Sequence, residues 1–341
     1  MITIRRERCL NTRYKAAKCD ICRRQCPARA ISPSFVPEAG RCTDCGLCLA
    51  ACPAEAIAGS SYPNAVFARL AEQDDDPLVL ACGRQDGQSL WPCLGVLDGR
   101  LLLALIYRGQ SEPRQVVLDD YACAQCVPRV AAHLGLLRSA VNQLMADSGK
   151  IPAIWPKRAE PAPRRKKAIS RRAFFNGLVA ATLLTVCDAA IAGAGEDEPL
   201  KRHEWFLRYG PRTQLALPVG SSLFWNIAID DGCNCCRGCL EACPHQAITA
   251  EDGGSELRFN HNPLLCSGCG DCAACCPLAA LTLQPAARLD AYPVATRQFP
   301  RCQGCGELFQ PAGKRATCLE CLLKAAAAAF GDDGNTKSDP Q

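Results

Sequence analysis

Residues 233–244 read CNCCRGCLEACP, and residues 266–277 read CSGCGDCAACCP. Both follow C-x2-C-x2-C-x3-C-P, with Cys233, Cys236, Cys239 and Cys243-Pro244 in the first run and Cys266, Cys269, Cys272 and Cys276-Pro277 in the second. The closing dipeptide extends in each into C-P-x-x-A-[IL]. That hexapeptide occurs four times, ending at Ile31, Ile57, Ile248 and Leu281. The copies start 26 residues apart in the N-terminal pair and 33 apart in the C-terminal pair. A repeat of this kind at both ends of one chain predicts two copies of a single two-site module.

Cysteines three positions apart let one loop present three thiolates around a compact polynuclear core, and the proline turns the fourth cysteine toward a second core. The C-terminal sets are then Cys233, Cys236, Cys239 with Cys276, and Cys266, Cys269, Cys272 with Cys243, each holding a 4Fe-4S cluster. Residues 225–290 thereby resemble the bacterial two-cluster ferredoxins. Structural zinc is the rival, but a zinc knot rarely needs eight cysteines in two matched runs.

The N-terminal unit, residues 1–62, carries one full run, Cys42, Cys45, Cys48 and Cys52-Pro53. Its other run is short of a ligand: Cys19, Cys22 and Cys26-Pro27 are present, but Ala16 stands where the first cysteine belongs. Cys9 lies just upstream, and a longer loop brings it to the empty corner. The expected sets are Cys42, Cys45, Cys48 with Cys26, and Cys9, Cys19, Cys22 with Cys52. The alternative is a three-cysteine site holding a 3Fe-4S cluster, with Cys9 a bystander.

Cysteine makes up 27 of the 341 residues, whereas aromatics are only 6%. Large apolar side chains are too few for one conventional core, so bound metal is expected to supply part of the folding free energy. The chain opens MITIRRERCL, without an apolar signal segment, which points to thiols kept as ligands in a reducing cytoplasm rather than to secreted disulfides. No stretch reaches the roughly 20 apolar residues of a membrane-spanning helix. Charge is uneven: residues 1–60 hold 10 Lys/Arg against 5 Asp/Glu, and residues 230–290 hold 3 against 8. No interleaving of basic and aromatic residues supports nucleic-acid binding.

Between the repeats, residues 75–148 contain strand-like LVLAC and QVVLD, an apolar LLLALIY, and then a helical pattern from Val127. There Val130, Leu134, Leu137, Val141 and Leu144 share one face. This predicts a small α/β domain. Its Cys82, Cys93, Cys123 and Cys126 fall at strand ends and at the helix start, where they could meet. The arrangement is similar to small iron-sulfur subunits associated with hydrogenases and heterodisulfide reductases, which implies a 2Fe-2S cluster; zinc, or no metal at all, is the plainer alternative.

Cys302, Cys305, Cys318 and Cys321 form two C-x2-C knuckles within residues 298–325. They resemble a zinc ribbon, a closed four-thiolate structural site, with a rubredoxin-type iron as runner-up. Residues 150–200 begin as a Pro-, Lys- and Arg-rich linker and include Ser170-Arg171-Arg172-Ala173-Phe174-Phe175 followed by an apolar run. This resembles a twin-arginine export signal, but its internal position favours a helix capped by Ser170, packed between modules or touching a membrane surface peripherally. Residues 331–341 are expected to be disordered. Cys187, Cys235 and Cys275 are left without a role.

The expected fold class is therefore α+β and multi-modular: two ferredoxin units, a central α/β domain and a C-terminal ribbon. Polyferredoxins of this kind resemble the accessory iron-sulfur proteins found with molybdenum enzymes such as formate dehydrogenases and nitrate reductases. The resemblance implies electron transfer through four 4Fe-4S clusters to a partner oxidoreductase, without stand-alone turnover. A maturation factor that donates clusters to a metalloenzyme is the alternative.

Overall fold

In a computed structural model of the chain, the four C-P-x-x-A-[IL] segments share one backbone form. The fourth residue of each, Arg29, Glu55, Gln246 and Ala279, is left-handed, with φ between 48° and 51°. Its amide donates to the carbonyl of the leading cysteine at 3.2–3.3 Å. The tight turn then aims the next amide at sulfur: Ala30, Ala56, Ala247 and Ala280 donate to Sγ of Cys26, Cys52, Cys243 and Cys276 at 3.2–3.3 Å. These alanines are 1–2% exposed and the following Ile or Leu 3–5%. Thus the small residue fits beneath the sulfur and the branched one anchors the turn in the core.

The structure describes residues 2–15, 17–62, 64–86, 92–150, 153–156, 200–211, 221–307, 309 and 315–330. The internal twin-arginine-like segment, Cys187 and the C-terminal tail lie outside them, as does Ala16. The fold is mixed α and β, with several small sheets in two compact units. Among the described residues no helix is long and apolar enough to cross a membrane.

The first unit comprises residues 1–225 with the short segments 267–270 and 285–289. Ile2–Ile4 pairs antiparallel with Ile57–Gly59, closing the N-terminal cysteine loops between them. Leu78–Leu80, Val116–Leu118 and Ile154–Pro156 form a three-stranded parallel sheet in that order. The apolar LLLALIY stretch belongs to the helix Gly99–Tyr107, every residue of which is buried. The helix Pro128–Asp147 buries Val130, Leu134, Leu137, Val141 and Leu144, the face expected from their spacing. Each such side chain contributes about 1.5–3 kcal/mol of transfer free energy.

Two boundaries differ from the sequence reading. The third strand, Ile154–Pro156, lies inside the stretch expected to be linker, because the sheet needs a partner for Val116–Leu118 and Val116 N bonds to Ala153 O at 2.7 Å. The N-terminal cysteine module and the α/β domain are also not separate bodies: one apolar cluster runs from Ile2 and Leu47 through Val96 and Val141 to Phe224. It includes the helix Arg202–Tyr209, which sequence patterning left unassigned and which packs on Gly99–Tyr107.

The second unit holds residues 226–266, 271–284 and 290–341. Its main sheet is antiparallel, ordered Tyr292–Gln298, Glu256–His261, Ile248–Asp252. Ile227, Cys235, Ile248, Leu257, Phe259, Cys272 and Leu281 form its core. The helix Leu319–Phe330 begins inside the last cysteine knuckle and carries Cys321 in its first turn.

Candidate metal centres

Cys9, Cys19, Cys22 and Cys52 line one cavity, with Ile4, Leu10 and Phe35 among its apolar walls. Cys9 reaches it from the N-terminus of a short helix, Leu10–Arg13, and the loop is tied by Asn11, whose amide bonds the carbonyl of Cys19 and accepts from its N–H at 3.1 Å. This run also lacks a backbone feature of the others. In the full runs, two positions flanking the second cysteine are left-handed: Asp44 and Gly46, Cys235 and Arg237, Gly268 and Gly270. Asp20, at the second of these positions in the short run, has φ −130°. The short run thus lacks this loop conformation as well as the cysteine, and Cys9 enters the same cavity from the start of Leu10–Arg13.

Cys48 is buried, and after desolvation the neighbouring thiols of Cys45, Cys26, Cys42 and Cys22 push it up. Cys233, Cys236, Cys239 and Cys276 line a second cavity, where Cys275 joins them. Cys275 donates its S–H to Cys272 O at 3.4 Å. Cys235 occupies a left-handed loop position (φ 62°) with its side chain in the core, which gives this unassigned cysteine a packing role. The last set is divided by the partition of the fold: Cys243, Cys266 and Cys272 belong to the second unit and Cys269 to the segment 267–270 of the first. Only the motif places those four together.

Cys82, Cys93, Cys123 and Cys126 do converge. They line a cavity of about 70 Å³ together with Arg84, Val127 and Val130. The cavities at Cys9 and Cys233 measure about 20 and 30 Å³. Each exceeds the ~10–15 Å³ needed by one water molecule, yet the walls are largely apolar, so thiols dominate the donor set.

Spacing separates these sites from the C-terminal knuckles. Cys302, Cys305, Cys318 and Cys321 have all four sulfurs within 4.8 Å of one another, and Cys305 and Cys318 are 3.9 Å apart. One tetrahedral ion with metal–sulfur bonds of about 2.3 Å demands sulfurs about 3.8 Å apart. Among the described residues no other group of three or more Cys, His, Asp or Glu ligand atoms is that compact. The knuckle amides point inward: Gly304 and Cys318 donate to Cys302 Sγ at 3.3 and 3.2 Å, and Cys321 to Cys318 Sγ at 3.4 Å. Gly306 takes φ 76°, where its amide bonds Cys302 O at 2.9 Å.

The causes of the thiol shifts differ between the two kinds of site. At the knuckles the shifts oppose one another: amides led by that of Cys318 hold the Cys302 thiol down, to about 6, while side-chain hydrogen bonds led by that of Cys318 push the Cys321 thiol up to about 12. In the wide sites burial dominates: desolvation first, then neighbouring thiols, pushes Cys22, Cys123 and Cys239 up to about 12. Burial likewise raises Cys45, Cys48 and Cys52. Such groups stay protonated unless a cationic centre takes the place of their protons, which ties ligand deprotonation to metal uptake.

One buried ion cluster touches a wide site. The Arg202 guanidinium donates to the carbonyls of Ala50 and Cys52 and to Asp98 Oδ2, the last at 2.7 Å, with Glu55 at 3.8 Å. Nothing in the sequence places a residue 150 positions downstream against Cys52.

No protein-family model matches the chain, and no curated protein matches it.

Proposed function

We propose that the chain is an electron carrier whose wide cysteine sites hold iron-sulfur clusters: four 4Fe-4S clusters at the C-x2-C-x2-C-x3-C-P modules and a further, smaller cluster at Cys82, Cys93, Cys123 and Cys126. The observation that carries this is the contrast in spacing. Three thiol sets line apolar cavities but are too open for a single ion, whereas the Cys302 group is compact enough for one and is taken here as zinc. When bound, such clusters exchange electrons at potentials anywhere from about −700 to +450 mV. The chain's own contribution is to exclude water with Phe35, Phe259 and Val130 and to aim amides at the sulfurs of Cys26, Cys52, Cys243 and Cys276. Hydrogen bonds to sulfur favour the more negatively charged state and so raise the potential.

With every iron corner taken by a protein thiolate, no position is left for substrate, so turnover belongs to a partner oxidoreductase, with formate dehydrogenase or another molybdenum enzyme the first candidate by resemblance. The test is anaerobic stopped-flow mixing of the chemically reduced full chain with that enzyme. Electron transfer restores the oxidised spectrum with iron retained, more slowly as salt rises. Loss of iron to the partner, leaving a colourless protein, makes the chain a maturation factor instead.

A further inference from the structure

Four consecutive residues of the Cys42–Cys48 loop are each held by residues C-terminal to it in the same unit. Arg84 Nη2 donates to Thr43 O, and the Tyr62 hydroxyl donates to Asp44 O at 2.7 Å. Gly95 faces Cys45 O so closely that a Cβ would stand 2.4 Å from it. Gly46 lies against Val96, whose backbone N and Cα would be 2.8 and 2.9 Å from a Cβ. The loop that presents Cys42, Cys45 and Cys48 is therefore docked on the turn Leu94–Val96, which begins directly after Cys93.

One side chain reaches both sites. While one arm of the Arg84 guanidinium bonds Thr43 O, Nη1 donates to Cys126 Sγ at 3.5 Å, and Arg84 itself lines the central cavity. Guanidinium is a permanent cation whose rigid fork suits two acceptors at once.

We propose that Arg84 is a positioning residue shared by two redox sites: the groups held by Cys26, Cys42, Cys45 and Cys48 and by Cys82, Cys93, Cys123 and Cys126 form an adjacent pair, and this one guanidinium raises both reduction potentials together. The proposal rests on the cluster assignment above. Reduction adds negative charge at either site, and a cation bonded to Cys126 Sγ at one and to the backbone of the loop carrying the other's thiols favours the reduced form of each. Because the charge is common, removing it lowers both potentials while changing the difference between them less. The pair thus keeps its internal driving force. Arg84 is solvent-exposed, so the effect is screened and shrinks as salt rises.

The experiment is potentiometric titration, followed by EPR, of the full-length reconstituted chain as wild type, Arg84→Gln and Arg84→Lys, with iron measured in each. In Arg84→Gln, the reduced-to-oxidised ratio at a fixed potential is expected to fall about three- to tenfold at both sites, tenfold being about 59 mV for one electron. Arg84→Lys recovers part of the shift, and the C-terminal module, as internal reference, does not move. Unchanged potentials, or a shift at only one site with full iron content, overturns the shared role. Loss of one site's iron from both variants makes Arg84 a structural residue and overturns it as well. Absence of iron from the wild-type central site refutes the underlying assignment, and is recognised before any variant is compared.

Discussion

Gly95 offers a direct test of whether the N-terminal cysteine module and the α/β domain share one core. In Gly95→Ala the new methyl would meet Cys45 O at 2.4 Å, Val130 Cγ2 at 3.0 Å and Leu47 Cγ at 3.4 Å. The first contact is to backbone, so no rotamer relieves it. Opening it from 2.4 to 3.0 Å moves the Cys45 loop by about 0.6 Å away from Leu94–Val96. Overpacking of this kind costs about 1–3 kcal/mol. In a unit of this size each kcal/mol lowers the melting midpoint by about 2–4 °C, so a fall of about 2–12 °C is expected. Cluster proteins unfold irreversibly, and apparent midpoints are therefore compared at one scan rate, by loss of visible absorbance and by circular dichroism. Gly135→Ala is the control: in the middle of Pro128–Asp147 with nothing within 4 Å of its Cβ, it should stabilise by about 1 kcal/mol. Equal midpoints for wild type and Gly95→Ala would refute the common core.

Three further outcomes follow from particular residues. Cys9→Ser should yield a 3Fe-4S signal by EPR in the oxidised protein and lose about one iron, since Cys9 lines the Cys19/Cys22/Cys52 cavity; unchanged iron would exclude it as a ligand. Ala279→Gly, at an exposed residue with φ 51°, should raise stability by roughly 0.5–1 kcal/mol by relieving the left-handed backbone, and a lower midpoint would contradict that account of the C-P-x-x-A turn. His261 is 1% exposed, stacked edge-on with Tyr292 at 5.6 Å, and desolvation lowers its pKa to about 4. Below pH 6.5 the unfolded chain takes a proton that the folded one refuses, so stability drops as pH falls from 6.5 toward 4, by about 1.4 kcal/mol at pH 5.5. His261→Phe should abolish that part of the acid sensitivity, and the same loss between pH 7 and 5.5 in the variant would rule the residue out.

The cysteine spacing and the hexapeptide repeat carry information at short range, where loop length alone limits which thiols can meet. The Cys9 and Cys233 sets expected on that basis each line a single cavity. The face of Pro128–Asp147 was legible because it alternates with solvent at helical period. The neighbouring helix Gly99–Tyr107 was not, because it is buried on all sides and shows no period. Ile154–Pro156 was hidden by the proline-rich composition around it, since a short strand at a parallel sheet's margin carries little pattern of its own. Arg202 and Arg84 were out of reach for a different reason: each acts on a cysteine loop across 41 residues or more, through contacts that only tertiary packing defines.

The central claim is tested most directly by counting metal in the anaerobically purified and reconstituted full chain, with Mössbauer spectroscopy to identify the clusters. The expected result is about 16 irons in 4Fe-4S clusters, about two more at the central cysteines, and one zinc per chain. Eight or fewer irons, or zinc filling the wide cysteine sites, would contradict it.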